Sequence, residues 1–287
     1  MNQYKERAAA FSIVVFVLVE FLFLSHGSSA NIKTLISDQT ALYWMLLELL
    51  QATVWGASAV LLVTGVIELW QKFALKPTIS TVSRALLIPL MLLFVSHKRQ
   101  WDLGPYSFLT IRTASIMGYI VAFAAVGGIL MAEMALAARS IDVNGPGKPD
   151  VDAYFRLRAY TQRFLLIAVV TLVAGTLVSL QTSSFLLAAS KENIEAHSLA
   201  KVFGTIASIA LAFFYAPTHA AFYSFGAAAR NALIGESAPA EVGPLLEWSE
   251  QRSKLESVLQ LQITTWDTFG PGISVLAPVL TGLLLGK

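Results

Sequence analysis

The sequence predicts an all-α membrane protein: a polytopic helix bundle of about seven transmembrane spans, with an amphipathic interfacial helix before the last span. We expect a single integral membrane domain over residues 1–287. Hydrophobic residues make up 56% of the chain and charged residues only 13%, whereas about 25% of an average soluble protein is charged. Several apolar stretches reach the roughly 20 residues that a helix needs to cross the hydrocarbon core. The net charge is only +2 and the basic residues form no single patch, so we expect no binding to nucleic acid.

The first apolar stretch, residues 8–24, follows a basic N-terminal segment, as in a signal peptide. Ser28-Ser29-Ala30 would serve as its cleavage site. The apolar stretch, however, is longer than the roughly 7–15 residues of a usual signal core. We therefore predict a retained first span, which carries Glu20.

The second span, residues 41–69, contains polar side chains in its interior. Glu48 and Gln51 lie about one helical turn apart, and Trp55 follows on the same face. Because a carboxyl group is costly in hydrocarbon, this face is expected to turn towards protein or water rather than lipid.

Residues 77–95 have two interpretations. Their strongly apolar part is short enough for a re-entrant segment, which would leave six spans. If the segment spans, 13 of the 20 Lys and Arg residues fall on the cytoplasmic side, against 11 of 20 if it does not. Basic residues concentrate in cytoplasmic loops, so this count favours a span. Arg84 would then reach the inner surface.

Three further spans are predicted at residues 113–137, 164–189 and 200–225. In each of them small residues recur every four positions along one face, which lets helix backbones approach closely in a membrane. Residues 139–163, between the first two of these spans, are predicted to form a cytoplasmic loop that leads into the membrane with aromatic and basic anchors.

The segment 230–267 is predicted to be cytoplasmic or interfacial. Gly243-Pro244 has the composition of a helix start, with proline at the first helical position. Glu250 and Lys254 are spaced to pair on the exposed face. Apolar residues recur at helical spacing on the other face: Leu245, Trp248, Leu255, Leu259 and Trp266.

The last span, residues 273–286, is short and contains Pro278. Seven spans place the N-terminus in the cytoplasm and the C-terminus on the far side, in what we expect to be a bacterial inner membrane. Most tryptophans then fall at the two membrane boundaries, as an aromatic belt requires. Those at the boundaries are Trp44 and Trp101 outside, and Trp70, Trp248 and Trp266 inside.

A polar layer is predicted in the outer third of the bundle, formed by Glu20, Glu48, Gln51 and Gln181. Glu20 and Glu48 lie roughly 6 and 10 Å below the outer surface at about 1.5 Å per residue. Such a layer suits a cation or proton site, or the ring of a pore. The alternative is structural: Glu20 is hydrated at the interface, and Glu48 is protonated or bonded to Gln51.

A second polar layer is predicted near the inner surface, formed by Glu68, Arg84, Glu133 and His219. All four lie within about two turns of a span end, where charged side chains usually reach the interface or pair as anchors. Pro217 beside His219 can interrupt the helix. A helix irregularity without a role is favoured over a gating kink.

The sequence contains no pattern typical of a cofactor, metal or catalytic site. There is no cysteine and there are only four histidines, and none of them form a ligand pair within the spans. Walker, dinucleotide-binding and nucleophile-elbow motifs are absent. We therefore predict no cofactor, no metal and no catalytic residues.

Three functions remain open. The first is a membrane transport or pore-type protein, a homo-oligomer or part of a larger membrane complex, in which the acidic layer lines a polar path. The second is a non-catalytic membrane subunit or effector that docks a cytoplasmic partner through 230–267, chiefly at 245–262. The third and least favoured is an intramembrane enzyme.

Overall fold

The computed structural model describes residues 14, 18, 39–73, 111–139, 150–190, 196–235, 237–259, 261, 276–277 and 279–281. This part of the chain is all-helical and contains no strand. Its five long helices are α1 Gln39–Phe73, α2 Ile111–Ala137, α3 Val151–Ser190, α4 Ala196–Ile234 and α5 Val242–Val258. The predicted fold class is confirmed at this level.

Three helices contain stretches that are long and apolar enough to cross a membrane: Leu49–Phe73 of α1, Val151–Leu177 of α3 and Gly204–Ile234 of α4. The shorter apolar stretch Val121–Ala137 lies in α2. The proposed spans 8–24, 77–95 and 273–286 lie wholly or mostly outside the described residues. Seven spans therefore stay a prediction.

Helix α3 occupies the centre of the bundle. It packs against α1, α2 and α4, while α2 also packs against α1 and α4. At the middle of this core the ring of Phe164 is fully buried. The backbones of Gly65 in α1 and Gly128 in α2 both approach the ring so closely that a Cβ atom would lie 2.9 and 2.8 Å from it. These two glycines let three helices meet around one aromatic side chain.

The start of α3 corrects one prediction. Residues 151–163, assigned above to a loop, are helical and continue without a break into the apolar stretch. The carboxylate of Asp150 accepts a hydrogen bond of 2.9 Å from the backbone N–H of Ala153, as an N-cap does. Tyr154 and Leu157 then bury the same face as Phe164. The cap and the three- to four-residue spacing explain why the helix begins at Val151.

Helix α5 forms within the predicted segment, but its apolar and polar side chains are only weakly separated and none of its residues is buried, so the predicted amphipathic character is not borne out. Glu250 and Lys254 form an ion pair of 2.6 Å, as expected from their spacing. The helix begins at Val242, so Pro244 is its third residue rather than its first. The first four N–H groups of a helix have no partner within it, which is why proline fits there too. The helix ends at Val258.

The apolar side chains of α5 are partly buried at Trp248 and in the C-terminal half of the helix. Leu255 packs against the core, and Leu259, just after the helix, is fully buried. At the other end Val242 and Leu246 are 73% and 65% exposed. Helix α5 packs against α4. Because α4 continues to Ile234, the first residues of the predicted segment 230–267 are part of α4. Trp266 lies outside the described residues.

Candidate functional site

Polar and charged side chains gather where α1 and α2 end and α3 begins, beside the middle part of α4. We call this region the polar end of the bundle and define it by Glu68, Glu133, Arg158 and His219. Three of these residues belong to the predicted inner layer, and each of the four comes from a different helix. The fourth residue of the predicted layer, Arg84, lies outside the described residues.

Helices α1 and α3 are joined at the polar end by two side-chain hydrogen bonds. The hydroxyl of Tyr160 donates to Oε2 of Glu68 at 2.8 Å. One turn away, Nη2 of Arg163 donates to the hydroxyl oxygen of Thr64 at 3.3 Å. These bonds satisfy a carboxylate and an arginine that lie within apolar helices, where unpaired polar groups are costly.

Helices α2 and α4 are joined in a similar way. The hydroxyl of Thr218 lies 2.7 Å from Oε2 of Glu133 and 3.0 Å from the carbonyl oxygen of Phe214. Thr218 is fully buried, so the contact with Glu133 lies inside the bundle. Helix α4 continues through Pro217, directly before this threonine.

Arg158 and Tyr154 fasten the chain after α5 to α3. Nη1 of Arg158 donates to the carbonyl oxygen of Leu259 at 2.7 Å and to the hydroxyl of Tyr154 at 2.9 Å. Tyr154 donates to the same carbonyl at 3.0 Å. Its ring stacks on Phe225 of α4, with centroids 5.8 Å apart. These contacts hold Arg158 in one position between α3 and α4.

A cleft opens beside Arg158, between α3 and α4. It encloses about 370 Å³ of empty space, counting the part that is open to the surroundings. His219 is half-buried in its wall, with its ring 5.7 Å from the ring of Tyr215. The polar side chains that line the cleft are Arg158, Thr161, Gln162, Tyr215, His219 and Tyr223.

The other described polar feature lies on α1, far from the polar end. Gln51 is 4% exposed and Trp55 is 1% exposed. Among the described residues, neither Oε1 of Gln51 nor Nε1 of Trp55 has a hydrogen-bond partner, although both atoms are buried. The 17 residues between Gln51 and Glu68 correspond to about 25 Å along the helix. This separation is most of the roughly 30 Å thickness of a hydrocarbon core.

The structure gives no side-chain geometry for the remainder of the predicted outer layer. Glu48 and Gln181 lie on α1 and α3, but their side chains are not among those described, and Glu20 lies outside the described residues. Glu48 is three residues from Gln51 on the same helix, so the two positions share a face.

Between these two polar regions the described interior is mostly apolar. Its residues include Leu62, Ala125, Ile129, Phe164 and Ala168. Thr171 and Thr176 are buried here too, and their hydroxyls donate to carbonyl oxygens of their own helix at 2.7 and 2.8 Å. The described side chains thus form two polar regions with a mostly apolar interior between them, and Phe164 packs next to the polar end at Gly65.

Several polar residues of this site were not among the predicted ones. Tyr154, Tyr160, Thr161 and Gln162 belong to the stretch that was assigned to a loop. Recognising Asp150 as an N-cap would have extended α3 through them and placed them on a helix. Among the described residues no three His, Cys, Asp or Glu side chains lie close enough together to hold a metal ion.

Comparisons with known proteins add no family to this description. The chain matches no protein-family model, no curated protein and no solved structure. The three long apolar helices are compatible with an integral membrane protein by their length and composition.

Proposed function

We propose that this chain is a membrane transport or pore-type protein that moves a proton or small cation along a path inside the helix bundle. Glu20, Glu48, Gln51 and Gln181 would line the path on the outer side. The observation that carries the proposal is that Oε1 of Gln51 and Nε1 of Trp55, which lie one turn apart on α1, are buried without a partner among the described residues.

Burial of these two atoms is costly unless they meet water or an ion. A buried polar group without a partner costs about 1–3 kcal/mol, and such groups in native proteins commonly mark a water molecule or an ion. Gln51 Oε1 accepts hydrogen bonds and Trp55 Nε1 donates them. A water molecule accepts and donates, so one placed between these residues satisfies both. A hydrated face of α1 next to Glu48 follows from this argument.

The polar end provides the second half of the proposed path. Glu68, Glu133 and His219 lie there within apolar helices, where ionisable residues commonly mark ion or proton pathways. The mostly apolar interior between Gln51 and Phe164 separates the two halves. Hydrophobic constrictions close pores by excluding water, so we assign the described arrangement to a closed state.

Flux measurements in reconstituted vesicles test this proposal. We expect Gln51→Leu and Glu48→Gln to lower proton or K⁺ flux at least tenfold. Gln51→Leu should leave stability unchanged or increase it, because an unpaired buried amide is replaced by an apolar side chain of similar size. Thr53→Val is the matched control on the same helix, since the Thr53 hydroxyl bonds to the carbonyl of Leu49. Wild-type flux in Gln51→Leu, or no flux above protein-free vesicles, would refute the proposal.

A second function is favoured by α5 and by the length of the central helices. Val242 and Leu246 of α5 expose apolar side chains. Helices α3 and α4 have 40 and 39 residues, which corresponds to a length of about 60 Å each. This length is about twice the thickness of the hydrocarbon core, so both helices would extend beyond it. As a non-catalytic subunit, the chain would bind a cytoplasmic protein through 230–267, chiefly at 245–262. Leu246→Glu should then release a co-purified protein without changing flux. Purification of the wild-type chain with no companion contradicts this alternative.

A further inference from the structure

The two buried polar atoms on α1 have opposite hydrogen-bonding roles. Oε1 of Gln51 accepts hydrogen bonds, whereas Nε1 of Trp55 carries an N–H group and can only donate. Both atoms are buried, and neither has a partner among the described residues. The two residues are one turn apart on α1 and therefore lie on the same face of the helix. A species that satisfies both atoms must accept one hydrogen bond and donate another.

A water molecule meets this requirement and is still able to relay a proton. One of its lone pairs accepts the N–H group of Trp55, and one of its O–H groups donates to the oxygen of Gln51. The other lone pair and the other O–H group stay available to neighbouring water molecules. When a proton binds to that lone pair, a new O–H bond forms. The available O–H group then gives its own proton to the next water, and the bound water is neutral again.

An alkali cation does not fit the same pair. A cation passes a selectivity filter when several oxygen atoms replace its hydration shell, whereas Gln51 and Trp55 offer one oxygen atom between them. A cation also accepts no hydrogen bond, so the N–H group of Trp55 would stay buried without a partner. An unpaired buried donor of this kind is costly. The pair therefore favours water over a cation that has lost its water.

The described interior offers a cation no compensating charge. Removal of a charge from water is very costly unless an opposite charge is nearby. A proton that passes along a row of water molecules avoids this cost, because its charge stays hydrated by the row. The buried polar residues in the described part of the chain are all uncharged: Gln51, Ser58, Thr161, Thr171, Thr176, Ser208 and Thr218.

We infer that the ion carried by this chain is the proton, relayed by water held between Gln51 and Trp55, and that alkali cations are excluded. The inference rests on the proposed transport function and names its substrate. Glu48 precedes Gln51 by three residues, and Glu68 lies near the other end of the same helix. Ionisable residues within membrane helices commonly belong to proton relays, so both carboxyl groups suit the exchange of protons with this water.

Two flux measurements on vesicles that contain the full-length protein test the inference. In the first, an outward K⁺ gradient with valinomycin makes the vesicle interior negative, and a pH-sensitive dye inside the vesicles reports proton entry. In the second, an internal K⁺ indicator reports K⁺ entry without valinomycin, while a protonophore balances the charge. We expect proton flux above that of protein-free vesicles, and K⁺ flux equal to that of protein-free vesicles.

The two measurements separate failure of this inference from failure of the proposed function. K⁺ flux above that of protein-free vesicles overturns the inference and leaves the transport function standing. Absence of both fluxes refutes the transport function itself, and the inference with it.

Trp55→Phe removes the N–H donor and keeps an aromatic ring. The water is then held by one hydrogen bond fewer, so we expect proton flux to fall about fivefold, which corresponds to the roughly 1 kcal/mol of a neutral hydrogen bond. Trp70→Phe is the matched control, because Trp70 lies on the same helix and is 58% exposed. We expect this control to stay within about twofold of the wild type. Equal proton flux in the two variants overturns the inference.

NMR of the wild-type protein with isotope-labelled tryptophan tests the bound water without any flux. The indole signal of Trp55 is identified by elimination, through single replacement of each other tryptophan by phenylalanine. This assignment holds even if Trp55→Phe does not fold. We expect transfer of magnetisation between water and the indole N–H group of Trp55, although its side chain is only 1% exposed. Absence of this transfer shows a dry N–H group and overturns the inference.

Discussion

Alanine in place of Gly128 tests whether close packing around Phe164 holds the bundle together. A Cβ atom at Gly128 would lie 2.8–2.9 Å from three atoms of the Phe164 ring, whereas carbon atoms pack best at about 3.5–4.0 Å. The adjacent Gly127 offers a matched control, because a Cβ atom there would meet no described residue within 4 Å. The two variants make the same chemical change on the same helix, and only one of them meets the ring.

The expected difference can be worked out from two terms. Alanine stabilises a helix relative to glycine by about 1 kcal/mol, and this gain applies to both variants. Overpacking of a core costs about 1–3 kcal/mol. Phe164 cannot move away freely, because its ring also packs against Gly65 of α1. A Cβ atom at Gly65 would lie 2.9 Å from the ring. We therefore expect Gly128→Ala to be less stable than Gly127→Ala by about 1–3 kcal/mol.

Unfolding in mixed detergent, with helical circular dichroism as the signal, measures this difference. In a double-mutant cycle, Phe164→Leu should relieve most of the cost of Gly128→Ala, because the ring that the new methyl group meets is gone. Equal stabilities of Gly127→Ala and Gly128→Ala would refute the reasoning. So would a cost of Gly128→Ala that persists in the Phe164→Leu background.

Two further predictions concern α5. Arg230 and Glu256 form an ion pair of 2.6 Å, and their side chains are only 13% and 26% exposed. Arg230→Gln should therefore lower the free energy of unfolding by about 1–3 kcal/mol and speed hydrogen exchange in α5. The pair of Glu250 and Lys254 is exposed, and exposed pairs contribute little to stability, so Lys254→Gln should leave exchange nearly unchanged. Equal effects of the two variants would contradict this ranking. The Lys254 ammonium donates a hydrogen bond to Glu250 and lowers the pKa of that carboxyl below its ordinary value. The ion pair therefore persists when the pH is below the ordinary carboxyl pKa. It is lost when the pH falls through the lower pKa that Glu250 has in the folded protein. In an NMR titration Lys254→Gln should raise the pKa of Glu250, and an unchanged pKa would contradict the assignment.

The positions of the helices can be predicted from local sequence patterns. The apolar stretch predicted at 41–69 lies within α1, and the one at 113–137 within α2, because the length of an apolar run sets the length of a membrane helix. The Glu250–Lys254 pair was predictable for the same reason, since residues four apart on a helix always face each other. The start of α3 was missed although its signal, Asp150, is equally local.

The partners of the polar side chains depended on the tertiary structure. Glu68 meets Tyr160 across 92 residues of chain, and Glu133 meets Thr218 across 85. Their spacing along the chain carries no information about these contacts, because helix rotation and tilt depend on the packing of neighbouring helices.

What the sequence by itself determined is an all-helical chain with apolar helices of membrane-spanning length, because hydrophobicity and helical periodicity are local properties. Only the tertiary structure decided that Phe164 packs against two glycines, that the buried oxygen of Gln51 has no partner among the described residues, and that Arg158 borders a cleft between α3 and α4. These features arise where side chains of different helices meet, and a contact of that kind is defined by distances in space rather than by positions in the chain.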